Sequence, residues 1–230
     1  MNRSSAPSKK TFYLAILSVL AIEILASCTD VQKREDTKRK QNSAFETVEK
    51  MRGLSMQLRP NARPWHLDHI RREEIMAEFH RIGKEAIPAI ASALKDSDVQ
   101  MRRNATEVLM ELAGGWTGKP VVYIRAAIPS LISAIEDPDK DVRIVAANAL
   151  AAIGPDAREA VPALTRMLKD PELGPRCASA IALGRIGVAA KPALPALREA
   201  LKDPDYEIRR MSKWVIELIE KACAQDDQGN

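Results

Sequence analysis

The sequence is poor in the residues on which β-rich folds and disulfide-bonded domains depend. Its 230 residues include three each of Phe, Tyr, Trp, Cys and His, and ten Gly. Sheets favour aromatic and β-branched side chains and turn glycines, so this scarcity argues against an all-β sandwich or barrel. Three cysteines cannot build a disulfide scaffold, and three histidines leave little for a metal site. We therefore predict an all-α fold without a cofactor.

The basic charge is concentrated near the N-terminus. The formal net charge is +4, yet residues 1–27 carry +2, residues 28–60 carry +3 and residues 85–230 carry −2. A nearly neutral body argues against a nucleic-acid-binding face.

The first 28 residues have the layout of an export signal. A polar start with three cations precedes a mostly apolar run over residues 11–26. That run is too short to span a bilayer comfortably as a helix. The end, Leu25-Ala26-Ser27-Cys28, looks like the lipobox of bacterial lipoproteins. The resemblance implies cleavage before Cys28, a lipid on its thiol, and a place in the cell envelope.

Residue 29 bears on which membrane is implied. Thr29 favours the outer membrane, on its periplasmic face, if the cell has one. The alternative is an uncleaved signal anchor with an ordinary Cys28. We divide the N-terminal part into a signal peptide (1–27), a flexible tether (28–43) and an amphipathic helix (44–59). The helix is predicted from an apolar stripe at Phe45, Val48, Met51, Leu54 and Leu58.

The rest of the chain repeats itself. Residues 127–131 read Ala-Ile-Pro-Ser-Leu, and related runs follow at 160–164 and 193–197, so that the prolines are 33 residues apart. A fourth copy lies upstream at 86–90. Each unit reads as two helices, the first beginning near its proline and the second following an aspartate turn. One such unit cannot bury its apolar stripe alone, but stacked neighbours can.

The repeated pattern resembles a known family. Ala-Val-Pro-Ala-Leu, then Asp-Pro, Arg, Ala-Leu and Ile-Gly, is similar to short HEAT repeats of the phycobilisome-lyase-like kind. The resemblance covers about residues 66–222 and implies an α-solenoid of stacked helix pairs. We expect four full repeats after an orphan second helix at residues 71–83. Residues 223–230 are predicted to be a disordered tail.

An aspartate and an arginine recur six residues apart in every unit. A catalytic pair would occur once, so we interpret the recurrence as a structural ladder in which each arginine bonds a neighbouring aspartate and backbone carbonyls. The ladder residues are Asp96, Arg102, Asp137, Arg143, Asp170, Arg176, Asp203 and Arg209.

One insertion interrupts the array. The first two repeat prolines, Pro88 and Pro129, are 41 residues apart, and the added stretch contains Gly114-Gly115-Trp116-Thr117-Gly118-Lys119-Pro120. This nearly spells a phosphate-binding loop, but Pro120 replaces the required Ser or Thr and no strand precedes it. We predict a surface loop in which Trp116 is a candidate for contact with a partner.

The resemblance also implies a binding face, because second helices line the concave side of HEAT arrays. The alternative is that some of the residues on this face merely pack between helices. The candidate protein-binding residues are Arg103, Ile144, Asn148, Ile181, Arg185, Arg210 and Trp214, together with Trp116.

The predicted function is a non-catalytic protein-interaction scaffold, tethered to the bacterial cell envelope by an N-terminal lipid. We expect a protein partner, no nucleic acid and no small-molecule substrate. The alternative is an enzyme on HEAT-like repeats, of the chromophore-lyase or DNA-glycosylase type, which requires a unique site that breaks the repeat. A passive spacer is the third possibility.

Overall fold

A computed structural model of the chain describes residues 32–50, 69–114 and 122–229. Regular structure in these ranges is helical throughout. Helix α1 spans residues 32–50, and α2 spans His69–Ile82. Four helix pairs follow: α3 (Ile87–Ala93) with α4 (Val99–Leu112), α5 (Ile128–Ala134) with α6 (Lys140–Ile153), α7 (Val161–Met167) with α8 (Leu173–Ile186), and α9 (Leu194–Ala200) with α10 (Tyr206–Gly229). The predicted α-solenoid of stacked helix pairs is confirmed.

The first helix of each pair is short and enters from a 3₁₀ segment. The repeat prolines, such as Pro129 and Pro162, lie in the first turn, where a missing N–H leaves no bond unmade. Gly154 and Gly187 begin two of the 3₁₀ segments with φ of 70° and 73°, a left-handed conformation that favours glycine. The chain reverses there between one pair and the next.

The second helices begin two residues later than the sequence indicated. The ladder aspartate Asp137 does not cap α6; its Oδ1 accepts the backbone N–H of Asp139 at 2.8 Å and closes the turn. The cap is Asp139, whose carboxylate accepts the N–H groups of Asp141 and Val142. Turn and helix therefore need separate acidic residues, because one carboxylate cannot reach both sets of donors.

The core runs unbroken along the stack. Each pair contributes one fully buried leucine or isoleucine from its first helix, and each second helix of the first three pairs contributes a fully buried leucine. The second helices pack side by side in the order α4, α6, α8, α10. These buried side chains are Ile90, Leu131, Leu164 and Leu197 on the first helices and Leu109, Leu150 and Leu183 on the second.

Helix α1 closes the N-terminal end of the array. Its Ala44, Thr47 and Val48 are buried, and its Ser43 hydroxyl donates to Oε1 of Glu78 on α2 at 2.9 Å. Hydrogen bonds from Arg81, more than the Ser43 bond, lower the pKa of the Glu78 carboxyl to about 2. The contact between α1 and α2 is thus part apolar and part charged.

Both predicted irregular ends are helical in the structure. Residues 32–43, predicted as part of a flexible tether, lie in α1, where Thr37 Oγ1 donates to the Lys33 carbonyl one turn earlier. Residues 223–229, predicted as a disordered tail, continue α10. Once packing has nucleated a helix, each further polar residue extends it at little cost, a cooperative effect that composition does not reveal.

The buried stripe of α1 also differs from the prediction. Phe45 is half exposed, because the docking face runs through Ala44, Thr47 and Val48. The signal peptide, Cys28 and residues 51–59 lie outside the described residues.

One stretch, Leu173–Ala200, is long and apolar enough to span a membrane by length and composition alone. It comprises α8 and α9, which are interrupted at Gly187 and contribute Leu183 and Leu197 to the core of the array. Its apolar character therefore follows from packing between repeats.

We predict that Leu150→Ala lowers the free energy of unfolding by about 2–5 kcal/mol, because it leaves a cavity at a fully buried position. Ala147→Ser, also at a fully buried position, should cost roughly 1 kcal/mol or less. The equivalent residue in the first pair is Thr106, whose hydroxyl donates to the Arg102 carbonyl at 2.7 Å. Denaturant unfolding of both variants measures the difference; equal losses would contradict the assigned helical phase.

Candidate binding surface

The structure joins the ladder residues into rungs between successive repeats. Arg102 Nε and Nη2 donate to the two carboxylate oxygens of Asp137 at 2.8 and 3.1 Å. Arg143 binds Asp170 in the same way, at 2.8 and 3.0 Å. The remaining nitrogen, Nη1, donates to carbonyls in the arginine's own turn, at 2.9 Å to Asp96 O from Arg102. Each arginine therefore ties its own turn to the turn of the next repeat.

The later rungs show where the ladder ends. Arg176 Nε lies 3.1 Å from Asp203 Oδ2. Arg209 keeps both carbonyl bonds, to Asp203 at 2.7 Å and to Pro204 at 2.8 Å. Among the described residues its guanidinium has no carboxylate partner, and it sits 5.8 Å from the centre of the Tyr206 ring. At the other end, Asp96 accepts the N–H of Asp98 in its own turn.

The rungs are largely shielded from water. The side chains of the Arg143–Asp170 pair are 12% and 10% exposed. Hydrogen bonds from Asp137 raise the pKa of Arg102 despite the opposing effect of burial. Shielding and bidentate geometry both strengthen a charge pair, so the ladder is a structural element that holds adjacent repeats in register.

A second charged contact was missed by the sequence reasoning. Arg103, a predicted protein-binding residue, donates to Asp139 through Nε at 2.9 Å and lies 3.1 Å from Asp141. Burial opposes ionisation of Asp139, but the Arg103 bonds and the Val142 N–H outweigh it and lower its pKa. The equivalent positions later in the chain are Ile144 and Cys177, so no periodic signal identified this pair.

The predicted binding residues of the middle repeats lie along the row of second helices. Asn148 and Ile181 occupy equivalent positions 33 residues apart on α6 and α8, and both are partly exposed. Arg185, one turn after Ile181, is exposed. Ile144 is different: a Cβ at Gly174 would meet its Cδ1 at 2.7 Å, so Ile144 packs between adjacent second helices. We call Asn148, Ile181 and Arg185 the second-helix row.

The two free thiols of the array, Cys177 and Cys223, are both partly buried. Burial, followed by the nearby charge of Asp205, raises the pKa of the Cys177 thiol. A raised pKa leaves less thiolate at neutral pH and makes a poor nucleophile.

Two other predicted residues lie at the end of the stack. Trp214 and Arg210 are on α10, at the positions equivalent to Ile181 and Cys177. Both are exposed, and Arg210 pairs with Glu207 on the same helix at 2.8 Å. They face outward where the fourth pair has no successor in the described chain. Trp116 lies outside the described residues.

Metal-ligating and catalytic groupings were also considered. In residues 32–50, 69–114 and 122–229, no cluster of three or more His, Cys, Asp or Glu side chains is arranged to hold a metal. His80 pairs its Nδ1 with the Met76 carbonyl at 2.7 Å, an ordinary contact within a helix. Two open clefts of about 370 and 420 Å³ lie between neighbouring repeats and are lined by ladder residues such as Asp170 and Arg176.

Comparison with known proteins agrees with this geometry. A sequence model of the family described as HEAT repeats matches residues 128–217. The match spans the second and third helix pairs and most of the fourth. No curated protein sequence matches the chain.

Solved structures show the same architecture. A designed armadillo repeat protein in complex with the peptide (KR)4 is similar at 16% identity and a TM-score of 0.52, over 64% of this chain and 68% of that one. The complex of CpcE and CpcF of phycocyanin lyase from Nostoc sp. PCC7120 is similar at 18% and 0.52, over 65% and 91%. Computationally designed armadillo repeat proteins for modular peptide recognition give 18% and 0.52, over 63% and 68%. At these identities the likeness establishes a solenoid of helical repeats.

The ladder allows a matched test. Arg143→Ala should lower the free energy of unfolding by about 3–5 kcal/mol, because it leaves the shielded carboxylate of Asp170 without its partner. Arg209→Ala loses only the two carbonyl bonds and should cost about 1–2 kcal/mol. Urea unfolding of the two variants compares them directly. Equal losses would mean that the charge pair between repeats contributes little.

Proposed function

We propose that this chain is a non-catalytic scaffold that binds a protein partner along its second-helix row. The observation that carries the proposal is the side-by-side packing of α4, α6, α8 and α10, which sets Asn148 and Ile181 in register on adjacent helices. A regular row of partly exposed side chains offers a partner the same spacing twice. Repeat arrays bind through such extended surfaces.

The chemistry of the charged groups supports a binding role over catalysis. The groups with shifted pKa values near the ladder, among them Arg102, Arg103 and Asp139, all have structural partners. The buried Cys177 thiol is poorly disposed to ionise. A catalytic site needs a titratable group poised to act on a substrate, whereas these groups serve the packing of the repeats.

The row also indicates the kind of partner. Ile181 offers an apolar contact, Asn148 an amide that both donates and accepts, and Arg185 an exposed cation. A polypeptide segment with an apolar side chain flanked by polar and acidic groups complements all three. The designed armadillo neighbour holds the peptide (KR)4, an instance of peptide binding on the same architecture.

We further propose that a lipid on Cys28 tethers the chain to the cell envelope, with the outer membrane favoured. The support is the Leu-Ala-Ser-Cys sequence after an apolar run. Helix α1 then acts as a stiff spacer, because residues 32–42 are almost wholly exposed and its buried face starts near Ser43. At 1.5 Å per residue this part of α1 is about 17 Å long, enough to hold the array clear of the headgroups.

The scaffold proposal is tested by a photo-crosslinking amino acid placed at Asn148 and at Ile181 in cells. We expect one discrete crosslinked product, containing the same second protein, from both positions. Arg185→Glu should reduce its yield, because an exposed cation at the row would be reversed.

The matched control carries the crosslinker at Ser133, an exposed position on the first helix α5. That position should give no such product. The proposal is wrong if Ser133 gives the same product in equal yield, or if neither position in the row captures a second protein.

The anchor is tested by labelling cells with an alkyne fatty acid. The wild-type chain and the Cys177→Ala and Cys223→Ala variants should carry the label, whereas Cys28→Ala should lose it and leave the membrane fraction. These two controls remove the remaining thiols one at a time. Label that persists on Cys28→Ala would show that the lipid is elsewhere or absent.

A further inference from the structure

The last helix pair leaves open the surface through which every earlier pair contacts its successor. Leu201, at the end of α9, is 38% exposed, whereas the equivalent Leu168 and Ile135 are each 3% exposed. The three residues are spaced 33 apart, so they hold the same place in the repeat. The exposure of Leu201 therefore comes from the missing neighbour and not from its position in the helix.

Helix α10 shows the same change. Lys213 is exposed, whereas the equivalent Ala180 and Ala147 are fully buried against the next second helix. Trp214, beside it, is 50% exposed. We call the outward surface formed by Leu201, Arg210, Lys213, Trp214 and Glu217 the end face. A polar end face is the usual solution for a terminal repeat, which makes a large exposed indole at its centre unusual.

The two ends of the array are not alike. At the N-terminal end, α1 covers α2 and buries Ala44, Thr47 and Val48. A second copy stacked head to tail would have to displace α1 and break the Ser43–Glu78 hydrogen bond. Only the C-terminal end is open, so two copies can meet without rearrangement through like ends, as in an isologous twofold dimer.

We propose that two copies of this chain associate through the end face about a twofold axis, with their α10 helices antiparallel. Such a contact is closed, because each copy uses its one open end. It differs from the second-helix row, which remains free in both copies.

The side chains of α10 fit this arrangement in one register. If the axis passes between Lys213 and Trp214, Arg210 of one copy lies opposite Glu217 of the second, and Lys213 lies opposite Trp214. Symmetry makes each pairing occur twice. The first pairs opposite charges and the second places an ammonium group against an indole face, and both are favourable contacts.

The charges available support that register. Arg210 is exposed and bonded only to the exposed Glu207 of its own helix, so a change of partner costs little. Glu217 is exposed on the same stripe two turns later. Arg209, whose guanidinium has no carboxylate partner among the described residues, lies next to Arg210 and adds positive charge where Glu217 of the second copy would come.

The available area is sufficient. Helix α10 has 24 residues and is therefore about 36 Å long and about 10 Å wide. With the adjoining face of α9 it offers roughly 600 Å², close to the ~800 Å² that each partner contributes to a standard interface.

The test measures the protein mass of the full chain in mild detergent by light scattering, with absorbance and refractive-index detection to subtract the detergent. The wild-type chain should be a dimer at micromolar concentration. Trp214→Glu should raise the dissociation constant by about 30-fold or more, as for a hot-spot tryptophan. Val99→Glu is the control, since Val99 is similarly exposed at 38% but lies at the start of α4.

The charge pairing gives a sharper test that does not depend on the tryptophan. Arg210→Glu and Glu217→Arg should each weaken the dimer at least about fivefold, and the double variant should recover wild-type affinity. Each variant is also melted, to establish that it is folded.

Three results would overturn the proposal: a wild-type chain that is monomeric at 100 µM as an approximate upper concentration, a dimer that survives Trp214→Glu, or a double variant no tighter than the single ones. Crosslinking from Asn148 and Ile181 should be unaffected by Trp214→Glu, so failure of the dimer and failure of the scaffold proposal are separate outcomes.

Discussion

The structure depends on the inability of any one helix pair to bury its own apolar face. The first helices α3, α5, α7 and α9 have seven residues each, too few for a stable isolated helix. Their leucines and isoleucines are buried only because a neighbouring pair covers them. Stability therefore lies in the contacts between repeats, and exposure at a given repeat position is decided by whether a neighbour is present.

The ladder is the polar counterpart of this stacking. Arg102, Arg143 and Arg176 each bind carbonyls of their own turn and a carboxylate of the next, so that turn geometry and repeat register are specified by one side chain. These charges are largely shielded, and their cost of burial is offset by bidentate pairing. Where the stack ends, Arg209 keeps the local half of the pattern and lacks the other half.

Surfaces left over from stacking are the ones available for binding. The second-helix row is regular and lies along the array, whereas the end face is unique and lies at its terminus. The two surfaces carry different chemistry: an amide, an isoleucine and an arginine on the row, and an indole between charges of both signs on the end face. A stiff α1 would keep both surfaces at a set distance from an anchored N-terminus.

The sequence by itself determined the helix pairs, because a 33-residue period, a first-turn proline and a buried leucine at each unit leave one way to fold and stack. It also identified the ladder residues, which recur with the same period. Only the tertiary structure decided what does not recur: the Arg103–Asp139 pair, the extension of α1 back to residue 32, and the place of Trp214 at the end of the stack. Periodicity reveals what every repeat shares, while exposure and pairing at a single position depend on which neighbour covers it.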